Sequence, residues 1–260
     1  MSAPMTSTAE ASVTPAVTAA IQATGLHKSF GEQVVLNGVS FSVDKGKMLA
    51  VLGKSGTGKS VLLRLLIGLE RPDSGSIQIL GQEVSALHRA ELTEIRKKVG
   101  YLFQQGALYD SLTVAENVAF PLKRHSKWNE TEIERKVQEL LSSVGLEESA
   151  GKLPSEVSGG MQKRVALARA LALDPDILLF DEPTAGLDPI TAHEIDLLIL
   201  EQKQKRGITS VVVTHDIHGV RLFADRVALL NEGEIVAEGT MDELDKNKGP
   251  FVVDFLKGSS

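Results

Sequence analysis

The chain has 260 residues, of which 42% are hydrophobic and 24% charged, with a formal net charge of −6 and no cysteine. This composition is typical of a globular protein with a sizeable core, and the missing cysteines exclude disulfides, thiolate zinc sites and thiol catalysis. The negative net charge provides no basic field for nucleic acid, so we expect no nucleic-acid partner.

The first segment, Met1–Ala20, consists of small and polar residues and lacks the basic and apolar blocks of a signal peptide. We expect a disordered leader over 1–20, with the ordered chain beginning near Ile21. Short apolar runs between Leu26 and Val43, separated by turn residues, predict antiparallel strands. No apolar run approaches the roughly 18 residues that cross a bilayer, so we expect any membrane association to go through another protein.

A glycine-rich loop, Gly53–Ser60, matches the pattern G-x-x-x-x-G-K-[ST]. An apolar strand candidate, Met48–Leu52, precedes it, and a helix candidate, Val61–Ile67, follows it. This order places backbone N–H groups and the positive end of a helix dipole against phosphate. In such loops the lysine, here Lys59, reaches the β- and γ-phosphates and the following hydroxyl ligates Mg²⁺. The alternative is a chance match, which the strand and helix on either side disfavour.

The rest of the chain predicts a parallel sheet interrupted by helices. Gln104 follows a strand end, where ligands of open α/β sheets bind. Apolar residues recur at helical spacing over Thr131–Val144, and the region 106–170 is predicted to form a mostly helical lobe. Strands are predicted at Ser76–Leu80, Val99–Phe103, Ile177–Phe180, Ser210–Thr214 and Arg226–Leu230, and a short helix at 90–98.

Two carboxylates, Asp181 and Glu182, end the predicted strand Ile177–Phe180. Asp181 suits a Mg²⁺ site, often through water, and Glu182 suits a base that orients an attacking water. Solvated acids at a strand end are common, but the upstream phosphate loop favours the functional interpretation.

A second candidate phosphate site is the stretch Ser158-Gly159-Gly160, which opens a helix predicted over Met161–Ala172. By itself the stretch would be an ordinary helix N-cap. Two phosphate sites in one chain predict that the second closes over the first, contributed by another copy.

These motifs, followed by Gly186-Leu187-Asp188 and Thr214-His215-Asp216, resemble the ABC-type ATPase family in type and order over about Ile21–Gly239. The resemblance implies an α/β P-loop NTPase fold of ABC type: a RecA-like core with an antiparallel β-subdomain and an inserted helical subdomain. It implies an ATPase domain over 21–240 and a C-terminal extension over 241–260. It also implies that two copies hydrolyse ATP, with Mg²⁺, in a head-to-tail dimer.

The resemblance further assigns roles to single residues. Phe30 would stack on adenine, although it could equally be a core residue, and Gln104 would contact Mg²⁺ and water. Asp188 would join the two sites of the dimer, and His215 would contact the γ-phosphate and hold Glu182. The implied nucleotide-binding residues are Phe30, Gly53, Lys54, Ser55, Gly56, Thr57, Gly58, Lys59, Ser60, Val61, Ser158, Gly159, Gly160 and Asp188; the catalytic residues are Glu182, His215 and Gln104; the Mg²⁺ residues are Ser60, Gln104 and Asp181.

Two positions depart from the family pattern. Met161 stands where most members have glutamine, and Lys54 where a neutral residue is usual. Neither departure removes a catalytic group. Both are expected to tune nucleotide affinity.

Three stretches, Gly106–Val114, Ser158–Met161 and Pro250–Leu256, resemble the ATPases of the Mla and Mce phospholipid transporters. This implies a membrane permease contacted near Gln104–Val114, a periplasmic lipid-binding subunit and a STAS-domain regulatory subunit. It places the chain peripherally on the cytoplasmic side of the inner membrane. The alternatives are the ATPase of an importer for amino acids or other small solutes, and a soluble ABC ATPase outside transport. The aromatic residues of Pro250–Leu256 have a simpler interpretation as tail residues that fold onto their own domain.

Overall fold

The computed structural model describes residues 19–258 and arranges them in two sheets with helices packed around them. The strands are β1 Ala19–Phe30, β2 Gln33–Asp44, β3 Met48–Leu52, β4 Ser74–Ile79, β5 Gln82–Glu83, β6 Val99–Leu102, β7 Ile177–Asp181, β8 Thr209–Thr214, β9 Arg226–Asn231 and β10 Glu234–Gly239. The helices are α1 Lys59–Leu66, α2 Arg89–Lys97, α3 Val114–His125, α4 Glu130–Ser143, α5 Gly159–Ala170, α6 Pro189–Arg206, α7 Ile217–Phe223, α8 Met241–Asp245 and α9 Pro250–Gly258.

The larger sheet has the strand order β10-β9-β3-β8-β7-β6, and all its strands are parallel except β10. Every residue of β3, β7 and β8 is buried, as expected for parallel strands covered on both faces. Parallel strands bring their carboxyl ends to one edge. The loops after β3, β6, β7 and β8 therefore meet at that edge, which confirms the predicted α/β class.

The smaller sheet is antiparallel, in the order β2-β1-β4-β5. The sequence predicted apolar runs separated by turn residues, and Gly38 is one such residue, but β2 runs through this position, where the pairing with β1 shifts register. Gly38 has φ +80°, which glycine adopts without a side-chain clash. At the other end, Ala19 and Ala20 belong to β1 rather than to the expected leader, whose residues 1–18 lie outside the described chain.

Two hydrophobic cores share the central strand β3. Leu49 and Val51 face a core formed with the antiparallel sheet and α1. Met48, Ala50 and Leu52 face a second core formed with the helices on the other side. The split follows from the alternation of side chains along a strand.

Helices α3, α4 and α5 pack on one another in the region predicted to be helical. Capping boxes start two of them, with Thr113 capping α3 and Asn129 capping α4. The predicted limits of the lobe, 106 and 170, stay a prediction, because these helices share their core with the larger sheet. Within residues 19–258, no helix combines the length and apolar character that a membrane span requires.

The C-terminal helix α9 packs on its own chain. Val252 and Phe255 are buried in the helical core, 4% and 8% exposed, and Phe251 packs against that core. This packing agrees with the simpler interpretation of these aromatic residues as a tail folded onto its own domain.

Candidate functional site

The phosphate loop joins β3 to α1, and its lysine is held at the centre of the loop. Lys59 is buried, and its Nζ donates to the carbonyl oxygens of Gly53 at 2.7 Å and Lys54 at 3.0 Å. A Cβ on Gly53 would lie 2.7 Å from the carbonyl oxygen of Leu230, so the close approach requires glycine. The loop therefore surrounds an ammonium group at a helix N-terminus, the arrangement that binds phosphate.

The acidic pair at the end of β7 lies directly against this loop. Ser60 Oγ donates to Asp181 Oδ1 at 2.7 Å, and the hydroxyl of Tyr101 donates to Asp181 Oδ2 at 3.2 Å. Burial, with the nearby charge of Asp181 second, raises the pKa of Tyr101, so this hydroxyl stays a donor. A serine hydroxyl beside a carboxylate is a pair of hard oxygen ligands, which fits a Mg²⁺ ion that keeps several waters.

Glu182 joins the lysine of the loop to the histidine after β8. Its Oε1 lies 3.1 Å from Lys59 Nζ, and its Oε2 lies 2.8 Å from His215 Nδ1. The backbone of Glu182 has φ +47°, a left-handed conformation that is rare outside glycine, and its N–H donates to Val213 O at 2.9 Å. Such backbone strain concentrates at functional sites. Here it turns the carboxylate toward the lysine and the histidine.

Half of the predicted nucleotide-binding residues line one cavity of about 410 Å³, the Lys59 cavity. Phe30 lies in its wall with 45% of its surface exposed, which fits a stacking surface and excludes a core position. The ammonium of Lys28 lies 5.1 Å from the centre of the Phe30 ring. The predicted residues in the cavity wall are Phe30, Ser55, Gly56, Gly58, Lys59, Ser60, Val61, Gln104 and Glu182.

Some predicted residues lie outside this cavity. Lys54 and His215 line a neighbouring cavity of about 690 Å³, and Thr57 Oγ1 donates to Lys54 O at 2.9 Å within the loop. Ser158 caps α5, where its Oγ accepts from Met161 N at 3.3 Å. Asp188 caps α6, and hydrogen bonds from the side chain and backbone of Thr191 lower its pKa.

The second phosphate candidate lies beside Asp188 and not beside Lys59. A Cβ on Gly160 would lie 2.3 Å from Thr191 Cγ2, and a Cβ on Gly159 would lie 3.6 Å from Leu187 Cδ2. Among the described residues that line the Lys59 cavity, none belongs to Ser158–Gly160. Within one copy, the two phosphate candidates are therefore separate surfaces.

Two residues that contact this site were not predicted from the sequence. Tyr101 holds the second oxygen of Asp181, and Lys163 donates to the backbone carbonyls of Gln104 and Glu182. Helical spacing could have pointed to Lys163. It lies three residues after Gly160 on the predicted helix, which places the two residues on the same buried face of α5. Tyr101 gives no such signal, since tyrosine is ordinary in a strand.

Comparisons with known proteins find relatives over most of the chain. A family model described as ABC transporter matches residues 36–185. Over 230 residues the chain is 43% identical to the intermembrane phospholipid transport system ATP-binding protein MlaF of Haemophilus influenzae, covering 88% of this chain and 87% of that protein. Over 239 residues it is 43% identical to the probable ribonucleotide transport ATP-binding protein mkl of Mycobacterium leprae, covering 92% and 69%.

A solved structure has the same fold. It is the dimeric post-hydrolysis state of the ATP-binding cassette MJ0796 bound to ADP and Pi, which matches with a TM-score of 0.78 and 35% identity. The match covers 85% of this chain and 98% of that chain.

Proposed function

The chain belongs to the ABC transporter family of ATPases, and from that membership we propose that it is the ATP-binding subunit of a phospholipid transporter. The similarity to MlaF carries the proposed substrate class, because it extends over nearly the whole of both chains. ATP hydrolysis would drive a permease that moves phospholipid between membranes. The individual roles of the site residues form part of the proposal.

In this mechanism the chain first holds the triphosphate. Backbone N–H groups of the loop and the N-terminus of α1 contact the phosphates, and Lys59 Nζ reaches the β- and γ-phosphates. Phe30 stacks on the adenine. Ser60 and Asp181, with Gln104 in the same cavity wall, would hold Mg²⁺, and the ion would supply positive charge next to the phosphates.

Glu182 then acts on the water that attacks the γ-phosphate. His215, 2.8 Å from its Oε2, fixes the orientation of the carboxylate and contacts the γ-phosphate. Glu182 accepts a proton from the water or orients it, which is the task of a positioned carboxylate. The products are ADP and phosphate.

The proposal includes a second copy of the chain. Because Ser158–Gly160 lies away from the Lys59 cavity of the same copy, it is available to close over the cavity of another copy. Asp188, next to it, would reach the dimer interface. Loss of the γ-phosphate removes a group that both copies hold, so the dimer opens after hydrolysis.

The permease is proposed to bind near Gln104–Val114. A groove of about 600 Å³ lies there, lined by aromatic rings of Tyr101, Phe103, Tyr109 and Phe120. A short cytoplasmic helix of the permease fits such an apolar groove. With that permease the chain would lie on the cytoplasmic side of the inner membrane, together with a periplasmic lipid-binding subunit and a STAS-domain subunit.

The test is to purify the tagged chain from membranes with its native partners and to extract the complex for lipid. We expect a permease in the complex and phospholipid in the extract. Recovery of the permease without phospholipid, but with nucleotide, amino acid or another polar solute, would contradict the substrate class and favour the importer alternative. Recovery without any membrane partner would favour a soluble ABC ATPase.

A further inference from the structure

Lys163 is a buried lysine on α5 that the proposed mechanism does not use. It lies one turn after Gly160, and 7% of its surface is exposed. Burying an ammonium group is costly unless it is paired and hydrogen-bonded. The hydrogen bonds that compensate for the burial of the Lys163 ammonium group therefore indicate its role.

Those contacts join the ends of two neighbouring strands. The Nζ of Lys163 donates to the carbonyl oxygen of Gln104, just beyond β6, and to that of Glu182, just beyond β7, at 3.3 Å. Burial lowers the pKa of Lys163, and the nearby carboxylates of Asp181 and Glu182 oppose this shift. One cation thus holds the backbone of two residues at the proposed catalytic site.

The carbonyl of Glu182 has a particular need for such a donor. The left-handed backbone of Glu182, with φ +47°, persists only when its surroundings fix it. The N–H of Glu182 is held by Val213 O at 2.9 Å, and its carbonyl by Lys163. Both sides of the strained residue are therefore fixed.

The same helix also holds the segment that follows Gln104. Arg169 donates through Nη2 to Gly106 O at 2.6 Å and through Nη1 to Ala107 O at 2.7 Å. Helix α5 therefore donates hydrogen bonds to the backbone at Gln104 and at the end of the same segment, Gly106–Ala107. It also donates to the backbone of Glu182. This helix begins at the Ser-Gly-Gly cap.

We propose that Lys163 is a positioning residue for ATP hydrolysis, which fixes Gln104 and Glu182 against the helix that carries Ser158–Gly160. When that cap closes on the nucleotide of a second copy, Lys163 sets the catalytic glutamate of its own copy. The inference depends on the proposed roles of Glu182 and Gln104, and it does not depend on which substrate the permease carries.

The test compares Lys163→Met, which keeps the length and removes the donor, with Lys163→Arg, which keeps the charge and the donors. Steady-state ATP hydrolysis and binding of a fluorescent ATP analogue are measured on the full-length protein. We expect Lys163→Met to lower kcat by about 10- to 100-fold, the effect of a misplaced catalytic group, with KM and nucleotide affinity within about twofold. Lys163→Arg should restore part of kcat.

Lys203→Met is the matched control. Lys203 donates to the carbonyl of Phe223 at 2.8 Å and to Asp225 Oδ2 at 2.7 Å, so it too is a lysine on a helix that donates to a backbone carbonyl of another element. We expect this control to leave kcat unchanged even where it lowers the melting temperature. If Lys163→Met does not fold, Lys163→Leu replaces it, because leucine is shorter and also lacks the donor.

Three results would overturn the proposal: wild-type kcat in a folded Lys163→Met or Lys163→Leu protein, an equal loss in Lys203→Met, or a loss confined to nucleotide affinity. Glu182→Gln is measured in parallel. If Glu182→Gln is inactive and Lys163→Met is normal, only the role of Lys163 fails. If Glu182→Gln turns over normally, the proposed catalytic site fails with it.

Discussion

Glu182 shows how much of a proposed catalytic residue's environment can be predicted from the sequence. The sequence predicts a carboxylate at the end of an apolar strand. The phosphate loop upstream favours a role for this carboxylate in nucleotide chemistry. The backbone conformation of Glu182 is not visible, since glutamate seldom adopts a positive φ. The contacts to Lys59 and His215 depend on that conformation.

Replacing Glu182 with glutamine tests the residue most directly. Glu182→Gln keeps the shape but cannot take a proton, so we expect kcat to fall at least about 100-fold, at the lower end of what general bases contribute. ATP binding should persist, and ATP should convert the monomer to a dimer that size-exclusion chromatography detects. Glu94→Gln, at an exposed position on α2, is the control. Full turnover by Glu182→Gln would remove this residue from its role.

At the scale of elements, the sequence predicted the five parallel strands of the larger sheet to within a residue or two, because buried parallel strands are short apolar runs. It did not predict the antiparallel edge strand β10. It did not predict α6, in which charged and apolar residues alternate too evenly to mark one face. It also gave no sign that Gly160 packs on Thr191, since such contacts depend on how α5 and α6 cross.

The contact between α5 and α6 leads to a prediction about Gly160. In Gly160→Ala the new methyl would overlap Thr191 Cγ2, so we expect a loss of about 1–3 kcal/mol in unfolding free energy. Adding Thr191→Ser removes that methyl and keeps the hydroxyl that bonds Asp188. Thermal denaturation of both variants measures the effect.

Recovered stability in the double variant would confirm that the clash with Thr191 causes the loss. If stability returns but ATP hydrolysis does not, the glycine is needed at the phosphate. A double variant as unstable as Gly160→Ala would contradict the packing argument.

The packing of α6 against α7 leads to a pH-dependent prediction. Asp196 is buried, its oxygens lie where a Cβ on Gly219 would sit, and burial, with Asp216 second, raises its pKa to about 7. The folded state therefore holds a proton that the unfolded state releases above about pH 4, so stability is lost as the pH rises from about 4 to 7.

Asp196→Asn removes this titration while keeping the size of the side chain. We expect the melting temperature of the variant to exceed that of the wild type more at about pH 8 than at about pH 5, since a tenfold change in proton affinity is worth about 1.4 kcal/mol. Glu32→Gln, at an exposed turn, is the control. Equal differences at the two pH values would contradict the raised pKa.

At the scale of the whole molecule, the sequence predicted two phosphate sites, the second contributed by another copy, but it could not show where each lies in the fold. Their separation depends on the crossing of helices and strands far apart in the chain, which no local pattern encodes. It is also the observation that calls for a second copy, because a Ser-Gly-Gly cap beside Asp188 has no nucleotide of its own to contact.

The absence of cysteine makes the dimer directly testable. In a Glu182→Gln background, one protein carries Ser55→Cys in the loop and another carries Ser158→Cys at the cap. We expect a short bifunctional maleimide to join the two proteins when ATP and Mg²⁺ are present, and neither protein to itself. Cross-linking of Ser55→Cys to itself, or cross-linking that ignores ATP, would contradict the head-to-tail arrangement.

The ion pair between Lys59 and Glu182 couples substrate binding to the proposed base. Lys59 Nζ lies 3.1 Å from Glu182 Oε1. In the proposed mechanism the same ammonium group also binds the β- and γ-phosphates. A bound triphosphate would therefore compete with Glu182 for Lys59, and the carboxylate would become freer to accept a proton from water.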